Sequence, residues 1–183
     1  MARIVLVTGG CRSGKSAHAL KLAQAVPGTR AYVATCPITD EEIARRVTAH
    51  RRSRDGQGWT TIEEQVELAE VFRRHAGFDV LLVECVTLWV NNLMYRAEQQ
   101  GGELTEAGIE PPCRALLDAA TACRGTVIFV TNEVGLGIVP DNPLARRYRD
   151  LVGRVNQLIA ARANQVTLLV SGIPVRIKGA EGP

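Results

Sequence analysis

Four short stretches of the chain are almost continuously apolar: Arg3 to Thr8 (RIVLVT), Asp79 to Glu84 (DVLLVE), Gly125 to Thr131 (GTVIFVT) and Val166 to Ser171 (VTLLVS). Runs of this length without a polar face predict strands buried on both sides, as in a parallel sheet covered by helices. Arg30 to Thr35 (RAYVAT) is a fifth candidate. Segments long enough for helices lie between the runs, notably 14–26, 40–54, 64–76 and 144–164. The alternation predicts an α/β fold of βαβ units with a mainly parallel sheet flanked by helices. Gly101-Gly102 followed by Pro111-Pro112 reads as bounding a flexible surface connection, and Asn132 to Pro143 as a Gly- and Pro-rich loop. With no internal repeat or low-complexity tract, a single domain spanning 1–183 is expected.

Composition sharpens this picture only slightly. The aromatic content is low, two Trp, three Tyr and three Phe, as suits helices packed on a Val-, Ile- and Leu-rich sheet. A net charge of +3 is too small to imply a nucleic-acid partner, although basic residues cluster between Arg45 and Arg54 and between Arg146 and Arg154. The five cysteines, Cys11, Cys36, Cys85, Cys113 and Cys123, form no C-x-x-C pair. Neither a disulfide framework nor a zinc site is expected, and a reducing cytoplasm fits. A basic-then-apolar leader and an apolar run of about 18 residues are both missing, so neither secretion nor a membrane span is expected.

The chemistry is concentrated after the first strand. Gly9-Gly10-Cys11-Arg12-Ser13-Gly14-Lys15-Ser16 matches G-x-x-x-x-G-K-[ST], in the strand, loop, helix context that a phosphate cradle requires. Glycines let the backbone wrap with its N–H groups inward, and the helix that follows adds its positive end. Lys15 supplies a charge for the β and γ phosphates, and Ser16 a hydroxyl for Mg²⁺. The bland alternative is a glycine turn that merely joins strand to helix. A carboxylate to orient the metal is expected at the end of a neighbouring strand, which Glu84 provides unless it caps the next helix. Glu63 is a weaker second candidate.

Thr39 and Glu42 stand at capping-box spacing and start a helix on which Ile43, Val47 and His50 share one face. A histidine among apolar neighbours reads as a core residue. Arg46, Arg51, Arg52 and Arg54 around it instead suit a polyphosphate or a leaving pyrophosphate, or a solvated last helical turn. Periodicity does not decide between these readings.

Larger blocks of sequence carry a resemblance. The loop GGCRSGKS, the strand RAYVAT followed by DEEIARRVTAHRRSR, the strand end LLVECVTLW and the run FVTNEVGLGIVPDNPLARRYRDLVGRVNQ together resemble one family, over nearly the whole chain up to SGIPVRIK. It is the bifunctional adenosylcobinamide kinase / adenosylcobinamide-phosphate guanylyltransferase family of cobalamin biosynthesis. The resemblance implies a three-layer P-loop NTPase fold of RecA-like type. It also implies two reactions: ATP or GTP phosphorylates adenosylcobinamide, and GTP then donates GMP to the new phosphate, giving adenosylcobinamide-GDP. In the family the second reaction passes through a guanylylated histidine in the motif R-[IV]-x-x-H-x-x-x-R, which here is Arg46, Val47, His50 and Arg54. Gly9 to Ser16 would hold the phosphates, with Lys15 and His50 catalytic. Thr35, Cys36 and Pro37 would line the nucleotide, and Arg51, Arg52, Ser53, Arg54, Glu63 and Glu84 would complete the site, with Ser16 and Glu84 on the metal. A homotrimer is implied as well. Departures from the family pattern, Leu88 after Val86-Thr87, Cys11 in the loop and Tyr148 in the ARxFRD-like segment, remove no proposed catalytic group. His18 and His75 do not match the histidine motif.

Two other readings remain open on residues alone. One is a small-molecule kinase that uses the loop and has a structural His50. The other is a nucleotide switch or a nucleic-acid-stimulated motor, for which an N-K-x-D motif and a strongly basic surface are both missing.

Overall fold

Along β1 (Arg3–Gly9), Ile4 and Leu6 pack into one apolar cluster and Val5 and Val7 into another. Successive strand side chains point to opposite faces, so a strand apolar at every position must be covered on both sides. The same division holds for β4 (Val80–Glu84), with Leu81 and Val83 on one side and Val80 and Leu82 on the other. It recurs in β5 (Thr126–Val130), where Val127 and Phe129 oppose Ile128 and Val130. These three strands form the middle of a three-layer arrangement.

The structure, a computed structural model, describes residues 1–37 and 56–179 together with Glu41, Arg45, Thr48, Arg52 and Arg54. The remaining strands are β2 (Arg30–Ala34), β3 (Trp59–Glu63), β6 (Gln165–Val170) and β7 (Ile173–Lys178). The seven-stranded sheet has the order β3-β2-β4-β5-β1-β6-β7. Every neighbouring pair is parallel except β6 and β7, an antiparallel hairpin at the edge. β5 therefore lies between β1 and β4, in register with both: Val130 is level with Val7 on one side and with Glu84 on the other.

One face is covered by α1 (Lys15–Gln24), whose inward residues Ala19 and Ala23 are small enough to let its backbone approach the sheet. The other face carries α2 (Leu68–Arg74), α3 (Val86–Gln99), α4 (Glu106–Ala122) and α5 (Pro143–Arg162). On α3, Val86, Trp89, Val90, Leu93 and Met94 form the buried stripe expected of an amphipathic helix. α5 starts on a sequence-specific cap: Asn142 Oδ1 accepts from the N–H groups of Leu144 (2.8 Å) and Ala145 (3.2 Å), and Pro143 occupies the first turn where no donor is lost.

Three sequence expectations change. The stretch from Gly101 to Pro112 is not simply a surface connection, because α4 begins at Glu106 and runs through Pro111 and Pro112. Thr105 caps it, accepting from Gly108 N–H (3.2 Å), and Ile109, Cys113, Leu116, Leu117 and Ala120 bury one face. The prolines remove donors only for carbonyls of the exposed first turn, which water can satisfy. α3 joins the predicted helices, and β3 and β7 join the predicted strands. Of the predicted helix 40–54, the described residues Glu41, Arg45, Thr48 and Arg52 are helical.

Candidate active site

The phosphate-loop motif forms the turn from β1 into α1. Gly9 is fixed by space: a Cβ there would stand 2.6 Å from Ser13 Oγ and 2.7 Å from the Leu169 carbonyl on β6. Arg12 and Gly14 adopt positive φ, 56° and 90°, and Ser13 N–H donates to Gly10 O (3.3 Å). Gly14 tolerates its conformation without a Cβ, whereas Arg12 accepts some strain. From the far side, Gly172 N–H in the β6–β7 turn donates to Ser13 O (2.9 Å). The buried Lys15 folds back over the loop, its Nζ donating to Gly10 O at 3.0 Å. Cys11 and Arg12 are exposed and Ser13 is buried.

Glu84 ends β4, two strands from β1, yet its side chain reaches the loop: Ser16 Oγ donates to Glu84 Oε1 at 2.7 Å. It does not cap α3, whose cap residue is Cys85. Burial pushes the Glu84 carboxyl above its ordinary range, while the Ser16 hydrogen bond and the positive charges of Lys15 and Arg54 pull it back. Arg54 is buried, with its guanidinium 3.4 Å above the centre of the Tyr32 ring. Two buried side-chain oxygens here, Ser13 Oγ and Glu84 Oε2, have no protein partner among the described residues. A buried acceptor without a donor is costly unless a ligand completes it. The hydroxyl and carboxylate oxygens of Ser16 and Glu84 suit a hard cation such as Mg²⁺, which takes few protein ligands and shares phosphates.

Thr35 is wholly buried and acts on the site through Glu84 and its neighbour. Its hydroxyl lies 3.1 Å from Glu84 O and 2.9 Å from Cys85 O, and it accepts from Cys85 N–H at 2.8 Å. Its side chain thus fixes the end of β4 rather than lining an open surface. Asn92 on α3 holds Thr35 in turn, donating to Thr35 O (2.8 Å) and Gln65 O (2.9 Å). Cys36 and Pro37 are half-buried beside it. Glu63 ends β3, level with Ala34, at the edge of the sheet. Arg52 is exposed. His50, Arg51 and Ser53 lie outside the described residues. His18 sits on α1, its pKa lowered by burial and by the charges of Arg176 and Lys21, and His75 caps the C-terminus of α2.

The end of β5 adds polar residues to which the sequence reading assigned no role. Thr131 N–H donates to Val7 O (3.0 Å) and Glu133 N–H to Gly9 O (3.2 Å), which locks this segment onto the phosphate loop. Thr8 Oγ1 donates to Glu133 Oε1 at 2.5 Å. Asn156 on α5 ties the group together by accepting from Thr131 Oγ1 (2.7 Å) and donating to Asn132 O (3.1 Å). Asn132 in turn donates to Thr87 Oγ1 at 3.1 Å. The signal for these residues was a polar Thr-Asn-Glu triplet closing an apolar strand, which becomes informative once β5 is known to lie between β1 and β4.

Comparison with known proteins agrees with this geometry. A family model described as cobinamide kinase / cobinamide phosphate guanyltransferase matches residues 5–177. The chain is 43% identical over 187 residues to the bifunctional adenosylcobalamin biosynthesis protein CobU of Escherichia coli (strain K12), covering 96% of this chain and 99% of that one. It is 43% identical over 182 residues to CobU of Salmonella typhimurium, with the same coverage. It is also 39% identical over 175 residues to the protein CobP of Pseudomonas aeruginosa, covering 95% and 96%. Among solved structures, a prototypical ATPase from a bacterial type III secretion system superposes with a TM-score of 0.53 at 12% identity, covering 91% of this chain and 50% of that one. That likeness concerns the fold alone.

Proposed function

Because this chain belongs to the cobinamide kinase / cobinamide phosphate guanyltransferase family, we infer that it carries out two transfers in turn on one corrinoid, adenosylcobinamide. In the first, the acceptor hydroxyl oxygen attacks the γ-phosphorus of ATP or GTP. The bond to the β–γ bridging oxygen breaks, a nucleoside diphosphate leaves, and the hydroxyl proton passes to solvent. In the second, an imidazole nitrogen of His50 attacks the α-phosphorus of GTP and pyrophosphate leaves. The corrinoid phosphate then takes GMP from the histidine, giving adenosylcobinamide-GDP and free imidazole. Two displacements through a nitrogen nucleophile replace one difficult step.

The observation that carries this reading is the convergence of Lys15, Ser16, Glu84 and Arg54 at the end of β1, with buried oxygens awaiting a partner. Lys15 would leave Gly10 O for the phosphates, and Arg54 would offset charge developing on pyrophosphate. Ser16 and Glu84 would hold Mg²⁺, which when bound neutralises charge across the phosphates. His50 is assigned on its motif, Arg46-Val47-Thr48-Ala49-His50 with Arg54. Imidazole has an unperturbed pKa of about 6.5 and is mostly neutral at pH 7, as nucleophilic attack requires.

The partners follow from the same reading. The substrates are a nucleotide and a corrinoid, without nucleic acid. A cytoplasmic location suits the free cysteines, and no helix of the described residues is long and apolar enough to cross a membrane. A homotrimer rests on the family resemblance alone, and β7, an edge strand whose Ile173, Val175 and Ile177 are all exposed, offers a surface for a second copy. The decisive experiment is mass spectrometry after incubation with GTP and Mg²⁺. A single GMP adduct on His50, consumed when adenosylcobinamide phosphate is added, is expected; phosphorylation of adenosylcobinamide without any adduct leaves only the kinase.

A further inference from the structure

The segment between β5 and α5 is firmly anchored at both ends and apolar where it is most exposed. At its start, Glu133 is bound to the phosphate loop through Gly9 O and Thr8 Oγ1. At its end, Arg146 donates from α5 back to Pro140 O (2.8 Å) and Asp141 O (2.6 Å), and Asn142 caps the helix. Between these anchors Leu136 is 79% exposed, Ile138 95% and Val139 59%. Three neighbouring exposed aliphatic side chains, on a segment tied to the phosphate loop, form an apolar surface of the kind that marks a ligand contact.

The occupant must meet two conditions set by position. It has to place a hydroxyl near the γ-phosphate, and it has to present enough apolar surface to cover side chains that reach beyond the loop. The nucleotide that fills the cradle is the phosphate donor and so does not supply the acceptor hydroxyl. A macrocycle with methyl-bearing faces and a hydroxyl on a side arm meets both. Asn156 and Thr8 both donate to Glu133 Oε1, which leaves Oε2 available to a donor arriving from the site.

Building on the kinase reading, we propose that residues 133–139 form the acceptor-binding element, in which Leu136, Ile138 and Val139 bear the apolar face of the cobinamide macrocycle and Glu133 accepts a hydrogen bond from its hydroxyl. The β7 surface is the weaker candidate for the same ligand, because its side chains belong to a strand whose unpaired edge favours a second chain.

The test measures cobinamide affinity by calorimetry in the full-length protein, together with GMP loading from GTP alone and particle mass by sedimentation. Ile138→Ser should raise the Kd for cobinamide about tenfold to a hundredfold, as expected for removing one aliphatic contact, at the wild-type particle mass. Glu133→Gln should lower the rate of cobinamide phosphorylation about tenfold, as expected for losing one charge-assisted hydrogen bond that orients the hydroxyl, and raise the Kd less than Ile138→Ser does. An unaltered Kd in Ile138→Ser overturns the proposal. So does a fall in particle mass, which identifies the loop as a contact between copies. A wild-type protein that neither loads GMP nor phosphorylates cobinamide defeats the underlying function instead, so the two failures are distinct.

Discussion

Ser16 Oγ donates to Glu84 Oε1 across 2.7 Å, joining the first turn of α1 to the end of a strand two places away in the sheet. The bond places a hydroxyl and a carboxylate together at the mouth of the phosphate loop, where a cation and its triphosphate would displace or share it. Burial raises the Glu84 carboxyl and so works toward the protonated acid, whereas a cation held there would work toward the anion.

An acid with a raised folded pKa stabilises the protein fully below its unfolded value of about 4.3, and that contribution is lost as pH rises through the folded value. Glu84→Gln does not ionise, so in ligand-free protein the melting temperature of the mutant minus that of wild type should increase from pH 5 to pH 8. Mg²⁺ dependence should move the other way, with turnover in Glu84→Gln slower and its Mg²⁺ requirement raised. Melting curves that stay parallel across this range would remove Glu84 from the ionising role.

Lys15→Ala should reduce both transfers by at least about a hundredfold, since each needs the cation at the triphosphate. Rates measured for phosphorylation and for GMP loading in the folded mutant check this. Loss of one alone would mean that the two reactions do not share the loop.

His50→Ala should eliminate GMP loading while phosphorylation of adenosylcobinamide largely survives, because γ-transfer needs the loop and not the imidazole. The wild-type adduct should be acid-labile and stable to base, as expected of a phosphoramidate whose nitrogen leaves on protonation. An adduct that persists in the mutant, or maps to His18 or His75, would defeat the assignment.

Thr35→Val retains shape but removes the hydroxyl that bonds Glu84 and Cys85. The buried Cys85 N–H would lose its acceptor, at a cost of about 1–3 kcal/mol. Chemical denaturation should show this loss, and the Mg²⁺ requirement should rise because the Glu84 backbone is less well fixed. A stability equal to wild type would show that solvent or another group replaces the hydroxyl.

The centre of the fold was legible because its strands are almost continuously apolar: β1, β4 and β5 are buried on both faces, and, alternating with helical segments, they fit a helix-covered parallel sheet. The phosphate loop was legible for a different reason, its spacing being dictated by the geometry of a phosphate. What could not be read was marginal in sequence and decided by tertiary context. β3, Trp-Thr-Thr-Ile-Glu, has too little apolar character to stand out and forms because β2 offers it an open edge. α4 overrides two prolines because Ile109, Cys113, Leu116 and Leu117 bury a continuous stripe. At the site, Glu84 was recognisable as a strand-terminal acid, but the role of Thr35 was not, since its partners are backbone groups of Cys85, 50 residues away just past β4. Glu133 was equally hidden until sheet order placed β5 beside β1.

The hydrogen bond from Gly172 N–H to Ser13 O makes the turn of the edge hairpin and the phosphate loop a single mechanical unit. Displacing either one loads the other through one peptide group. If a copy seated on β7 changed nucleotide affinity by some factor, nucleotide would change assembly by that same factor.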